Sequence, residues 1–344
     1  MRTGRDKQTG FSLIELMIAI TLSLVLTIGI IQIFSSSKQT SRVQDALARV
    51  QENARFALDI LSHDIRMAGQ LGCNSGAHLT VAGEFKNYDS SIYGYEYADL
   101  PADSALIINN SRPERSDIVE DTDTIIVRSA ATRTIPLTDE SAPITNDSIT
   151  AKSAGAIDNI APGDPMVISD CVNADMLFVK TKDGSRLTFD PPESSDPLAN
   201  KYQSDAEVMK LNYAAYYIRV DDKTGNKNLY RSYVNGISGS PGVNAPEPLL
   251  ENVENLQIFY GENVNGNIRY VRADQVGNMS NVVSVRIHLL LSTGEDNLAI
   301  DPQSYWYVNQ DSDDIELQTA ADGDKRLFRS FTTTIQLRNY GIGV

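Results

Sequence analysis

Residues 11–34, FSLIELMIAITLSLVLTIGIIQIF, limit what this chain can become more than any other part of it: 24 residues with one formal charge, Glu15. As a helix the run would be about 36 Å long. The hydrocarbon layer of a bilayer is about 30 Å thick, so the run can cross it. A cleaved secretory signal has a shorter apolar region followed by a small-x-small site. Here the run is too long for that, although Ser35, Ser36 and Ser37 leave cleavage behind it open. A plain signal anchor fits the length and the basic flank of Arg2, Arg5 and Lys7. It does not account for Glu15, because an ionised group in apolar surroundings costs about 3 kcal/mol or more.

The apolar run gives way to a polar patch, SSSKQTSR, and then to a second helical pattern. Val43, Leu47, Val50, Ala54, Ala57, Leu58, Leu61, Ile65 and Ala68 follow one another at helical spacing and trace one face. No proline occurs before Pro101, and Gly69 and Gly72 offer a stop. The pattern predicts one long helix from Phe11 to Ala68, with Gly29 and the serine patch as the points where it can bend.

Beyond Cys73 the chain changes character. Runs rich in Val, Ile and Tyr alternate with clusters of Asp, Asn, Gly and Pro, the mark of strands and turns. Ten strands are predicted: 105–109, 124–129, 165–169, 176–181, 208–220, 228–234, 253–260, 268–272, 282–292 and 328–338. Asn265-Gly266 should close one hairpin and DDKTGNK (221–227) a looser one. The stretches 132–164, 185–204 and 236–248 read as surface loops. The expected fold class is therefore α+β: an amphipathic helix laid on an antiparallel sheet.

The 344 residues carry a net charge of −15, and the first ten hold three basic residues against Asp6 alone. The rest of the chain has 27 basic against 44 acidic residues, net −17. Such a body is repelled by phosphate backbones, which argues against nucleic-acid binding. The three histidines, His63, His78 and His288, show no metal-ligand spacing with the two cysteines. Neither Asp311-Ser312-Asp313-Asp314 with Glu316 nor Asp322-Gly323-Asp324 follows the EF-hand spacing, so both read as solvated acidic loops. No GxSxG elbow, phosphate loop or HExxH occurs. Carboxylates are numerous, yet nothing marks two of them as a hydrolytic pair. No enzyme activity, cofactor or metal is expected.

The N-terminus supplies a positive assignment. Gly10-Phe11-Ser12-Leu13-Ile14-Glu15, behind a short basic leader, resembles the prepilin peptidase site. GDPMVISDC (163–171), NLYRS (228–232), VENLQIFYG (253–261), SVRIHLLLS (284–292) and TIQLRN (334–339) together resemble the PilW family of type IV pilus minor pilins. The resemblance implies a pilin-like fold with a leader at 1–10, a transmembrane helix half at 11–34, an amphipathic half at 35–68 and a β-rich exported domain at 73–344. It implies cleavage between Gly10 and Phe11 and N-methylation of Phe11. Glu15 would pair with a neighbouring subunit's terminal ammonium, since a buried carboxylate needs a partner. Implied partners are other minor pilins, the major pilin, the prepilin peptidase and the inner-membrane assembly platform. The body would be periplasmic before assembly and at the cell surface in the pilus afterwards. A type II secretion pseudopilin shares the leader and helix, and a membrane-anchored periplasmic enzyme or binding protein is the alternative from another class.

Two further readings stay open at this level. Cys73 and Cys171 are the only thiols, and in an oxidising compartment they would pair; the alternative is two buried free thiols. Closing a loop of that length stabilises by up to about 4–5 kcal/mol. Tyr305-Trp306-Tyr307, the most aromatic stretch, is either core packing or a subunit contact.

Overall fold

The computed structural model describes residues 12–72, 78–81, 90–100, 115–138, 144–145, 147–170, 173–189, 202–203, 205–233, 246–309 and 314–339. Helix α1 (Leu13–Met67) is unbroken for 55 residues, about 83 Å at 1.5 Å per residue. Gly29 and Ser35–Ser37 lie inside it without a break. Its end is set where Gly69 turns at φ 76°, in the left-handed region that glycine enters without a Cβ penalty. The Gly69 amide then donates to Arg128 O at 2.8 Å, and the Ala130 amide to Gln70 O at 2.7 Å. The helix exit is thereby stitched to the first long strand of the body.

Sixteen strands follow among the described residues: β1 (His78–Val81), β2 (Ile92–Tyr95), β3 (Thr124–Thr134), β4 (Ser148–Thr150), β5 (Pro165–Ser169), β6 (Asn173–Asp183), β7 (Arg186–Phe189), β8 (Glu207–Val220), β9 (Lys227–Tyr233), β10 (Glu247–Glu251), β11 (Val253–Val264), β12 (Asn267–Val271), β13 (Val282–Ser292), β14 (Ser304–Val308), β15 (Ile315–Thr319) and β16 (Phe328–Gln336). They form a ten-stranded sheet, a four-stranded sheet ordered β12-β11-β13-β16, and the hairpin β14-β15. In the large sheet β8 is central. It pairs with β3 along one edge, and with β5 and then β9 along the other. Pairing is antiparallel throughout except for β1 beside β6.

The burial pattern explains the choice of residues. On α1 the buried side chains are Val50, Ala54, Ala57, Leu61 and Ile65, the predicted stripe. They share one core with Ile125, Tyr216 and Ile218 of the large sheet and with Leu256, Ile258, Val285, Ile287 and Leu289 of the small one. Small alanines in the middle of the stripe let the helix sit close to the strands. The run Tyr213–Ile218 is apolar at every position because β8 is covered on both faces. Tyr216 and Ile218 face the helix core, while Tyr213, Ala215 and Tyr217 face a second cluster with Val167, Met176 and Leu211.

Both predicted hairpins form. Asn265 and Gly266 both take positive φ, 53° and 87°, as a tight two-residue turn requires. In the β8–β9 turn Asp221 Oδ1 accepts from the amides of Lys223 and Thr224 at 3.0 and 2.8 Å.

Three stretches expected as loops contain strands. β4 lies within 132–164, β7 within 185–204, and β10 begins inside 236–248. These strands are three to five residues long, too short to show a period. Pro248 is tolerated in β10 because β10 is the terminal strand of its sheet. β1, β2, β14 and β15 also went unpredicted. The predicted strand at 105–109 lies outside the described residues.

Candidate functional site

The functional region is α1 and the surfaces that hold it. Ser12 caps the helix, its hydroxyl accepting from the Ile14 amide at 3.3 Å, while Glu15 Oε2 accepts from the Ser12 amide at 3.0 Å. This is a reciprocal capping box, which satisfies two of the amides that a helix start leaves without partners. Ser12-Leu13-Ile14-Glu15 has the signature spacing of that motif, a signal masked in the sequence by the carboxylate's charge. Glu15 therefore has a partner inside its own chain. Gly10 and Phe11 lie outside the described residues.

The side chains beyond the cap are apolar and outward-facing. From Leu13 to Phe34 every large hydrophobic is more than half exposed, and α1 is long and apolar enough to cross a membrane. Both threonine hydroxyls turn inward: Thr21 donates to Ile18 O at 2.9 Å and Thr27 to Ser23 O at 2.7 Å. This single N-terminal apolar segment is consistent with an inner-membrane anchor.

The second half of α1 is held at several levels. Near its start, Gln39 Nε2 donates to Leu298 O at 3.1 Å and Asn297 O at 3.3 Å, and Arg42 pairs with Glu295 at 3.3 Å. At its end, the Arg338 amide and Asn339 Nδ2 donate to Arg66 O and Ala68 O, both at 3.4 Å. Between these, Asp64 accepts a hydrogen bond from the Tyr216 hydroxyl and faces Arg231 at 3.9 Å. Burial, then the Asp64 carboxylate, pushes the Tyr216 hydroxyl up, so it remains a donor at any physiological pH.

Two carboxyls are buried where the two sheets meet. Asp123 Oδ2 accepts from the Ile258 amide at 2.7 Å. Glu96 accepts from the Ala273 amide at 3.1 Å and from Arg272 at 3.5 Å. Burial raises both acids, Asp123 well above its ordinary range, with the Glu96 charge adding to the effect. The pair shares a hydrogen bond, which needs a proton on one of them. Close by, a Cβ on Gly94 would fall 2.1 Å from the Tyr260 hydroxyl, so the backbone there has room only for glycine. Buried acid pairs of this kind also occur in active sites, but here both acids are taken up by backbone amides from the opposite sheet, and the arrangement closes a seam.

Asp311–Asp313 lie outside the described residues; described candidates such as His288, Glu316 and Asp324 are held in structural contacts. His288 packs edge-on against Phe259 at 5.6 Å and its Nδ1 meets Thr332 Oγ1 at 2.9 Å. Burial, then Arg286, lowers it to about 4. Asp324 is bound to Arg326 at 2.7 Å and Glu316 to Asn309 at 2.6 Å. Among the described residues no three His, Cys, Asp or Glu side chains gather as a metal site. The aromatic stretch is core packing in part. Tyr307 is core, its hydroxyl donating to His288 O at 2.9 Å, and Tyr305 stacks on Phe328, while Trp306 is 60% exposed.

Cys73 and Cys171 lie outside the described residues, and no disulfide occurs among those described. The residues around them converge. A Cβ on Gly72 would sit 2.5 Å from Glu207 Oε2, Glu207 pairs with Ser169, and His78 pairs with Asn173.

Residues 5–31 match the family model described as the prokaryotic N-terminal methylation motif, and residues 215–339 match the one described as type IV pilus-assembly protein W. Both matched stretches are similar to prepilin-type sequences and support a prepilin-like reading of the chain. The second match runs from mid-β8 to the segment that meets the helix C-terminus, and so covers β13 and β16, which pack on α1, but not β3. A search among curated proteins finds no match. Among solved structures, a type IV-like pilin from Thermus thermophilus is similar at 17% identity over 52% of this chain and 87% of its own, with a TM-score of 0.23. That likeness is remote in both sequence and shape. The long N-terminal helix packed on an antiparallel β-sheet body is consistent with a pilin-like α+β fold.

Proposed function

We propose that this chain acts as a low-copy minor pilin that promotes assembly of a type IV pilus from its tip. The observation that carries the reading is one unbroken helix whose first half is apolar and wholly uncovered while its second half is clamped to a folded body. A soluble protein does not leave such a rod in water, and a simple membrane anchor does not need it continuous with the body. In this proposal the peptidase cuts between Gly10 and Phe11, Phe11 is N-methylated, and the rod waits in the bilayer before moving into a bundle of like helices. Apolar helices gain little hydrophobic energy on leaving lipid for one another. Register in that bundle would then depend on packing and on Glu15, exchanging its own Ser12 amide for a neighbour's ammonium. The partners are the other minor pilins, the major pilin, the peptidase and the assembly platform. Residues 1–10 are the leader, 11–34 the membrane half of the helix, 35–68 its amphipathic half and 73–344 the exported body.

N-terminal sequencing of protein extracted from membranes tests the reading. A start at methylated Phe11 is expected; a start at Met1 or behind Ser35–Ser37 removes its main support. Export also predicts oxidation of Cys73 with Cys171, favoured by the convergence of Gly72, Glu207 and Ser169. Non-reducing peptide mapping should recover the two linked peptides, and alkylation of both thiols in the folded, unreduced protein would exclude the bond.

A further inference from the structure

The strands packed on α1 run along it, which gives the body a near end and a far end relative to the apolar half. The end of β16 leads to Arg338 and Asn339, which meet Arg66 and Ala68 at the helix C-terminus. The start of β16 therefore points back towards the apolar half. β13, antiparallel to β16, arrives there at Ser292, opposite Phe328. The near edge of the body is made of the loops 293–303 and 320–327. They are tied together by the Leu298 and Ala299 amides, which donate to Lys325 O at 3.1 and 3.0 Å. Asn297 turns the first loop at φ 59°, and Leu298 is buried while Ile300 is 87% exposed.

This edge touches α1 at Gln39 and Arg42. Gln39 lies five residues past Phe34, about 7.5 Å along the axis. The interfacial layer between hydrocarbon and water is about 5–7 Å thick on each side. With the apolar half in the bilayer, the loop stands at the outer edge of the headgroup layer. The charges around it lean acidic. Lys38, Arg42, Lys325 and Arg326 stand against Glu295, Asp296, Asp301, Asp322 and Asp324; Glu295 is held by Arg42, and the Asp296 carboxylate accepts from the amides of Asn297 and Lys325. Arg326 is taken up by Asp324 and Glu254. No cationic excess draws this edge to an anionic lipid, so the exposed apolar side chain decides what the edge prefers to touch.

We propose that loop 295–301 is a foot that rests on the lipid surface, with Ile300 in the headgroup layer of the leaflet from which α1 emerges. The proposal rests on the reading of the apolar half as a membrane span. The foot fixes how deep the helix sits and keeps the body against the bilayer until the subunit is drawn into a filament, when Ile300 must leave the lipid.

The chain has one tryptophan, Trp306, which is exposed and replaceable. In a Trp306→Phe background, full-length protein carrying Ile300→Trp, Ile28→Trp or Val264→Trp is reconstituted into bilayers containing brominated lipid. Val264 lies at the far end of β11, beyond Glu262, which pairs with Val282. Position 28 should be quenched strongly, and position 300 severalfold more than position 264, with no more quenching at 300 in anionic than in zwitterionic bilayers. Quenching at 28 with none at 300 above that at 264 overturns the foot and leaves the anchor standing. A blue-shifted but unquenched indole at 300 also overturns it, since protein would then cover the site. Absence of quenching at 28 removes the membrane span, and the foot falls with it. An unchanged melting temperature for Ile300→Trp, expected for so exposed a position, certifies the fold.

Discussion

The two halves of α1 are built from the same repeating geometry and meet opposite fates. From Leu13 to Phe34 the large side chains are apolar all round and none is covered. From Val50 to Ile65 only one stripe is apolar, with Ala54 and Ala57 where it meets the sheets, and all of it is buried. A helix apolar on every side has no preferred partner within its own chain; a striped one has its partner specified to a single rotation. The first half is made for a surrounding solvent of lipid or like helices, the second for one particular body.

Truncation of a leucine on each side would separate the halves most sharply. Leu61 is fully buried among both sheets, and Leu61→Ala should cost about 2–5 kcal/mol, read as a large fall in the melting temperature of the body. Leu22→Ala should leave that temperature unchanged. Equal effects would mean that the apolar half also packs on the body.

Acids set in apolar surroundings offer a finer comparison, Asp123 behind the striped half and Glu15 in the uncovered one. Burial raises Asp123 and Glu96 above their ordinary values, so the folded state binds the shared proton more tightly than the unfolded chain. Their contribution is full below the ordinary carboxylate range, near pH 4, and is lost as pH rises through the raised values. Asp123→Asn keeps an oxygen for the Ile258 amide and a donor for Glu96 without needing the proton. It should raise the melting temperature at neutral pH by about 2–4 °C and flatten its pH dependence. A lower melting temperature at every pH would show that the seam needs the carboxylate itself.

Glu15→Ala should leave the melting temperature of the body unchanged, since its capping box lies some 35 residues from the nearest buried residue of the stripe, Val50. Its effect belongs to assembly: membrane levels near normal, and less protein in sheared filaments relative to the membrane pool. Incorporation equal to that of the native chain, or loss from the membrane, would remove the proposed role.

The helix, its stop at Gly69 and the covered strands were legible because long periods average over many residues. The eleven residues of Val282–Ser292 and the five of Pro165–Ser169 appear with their predicted bounds. The short edge strands were not, because Ser148–Thr150 or Glu247–Glu251 owe their conformation to the neighbour they pair with. The meeting of Glu96, Asp123 and Tyr260 was equally hidden, since three distant segments supply it. Glu15 is different in kind. Its capping role was written in the sequence, but its charge drew attention from its position as the third residue of a helix start.

Because β16 and α1 point the same way, the seam between helix and body is loaded along its length when a subunit is pulled by its N-terminal rod. Sliding the helix would require the stripe from Val50 to Ile65, the Asp64–Tyr216 bond and the clasps at Gln39 and Ala68 to fail together. A peeling force would open them one after another. The chain is thus a shear joint, strongest along the axis of its own rod.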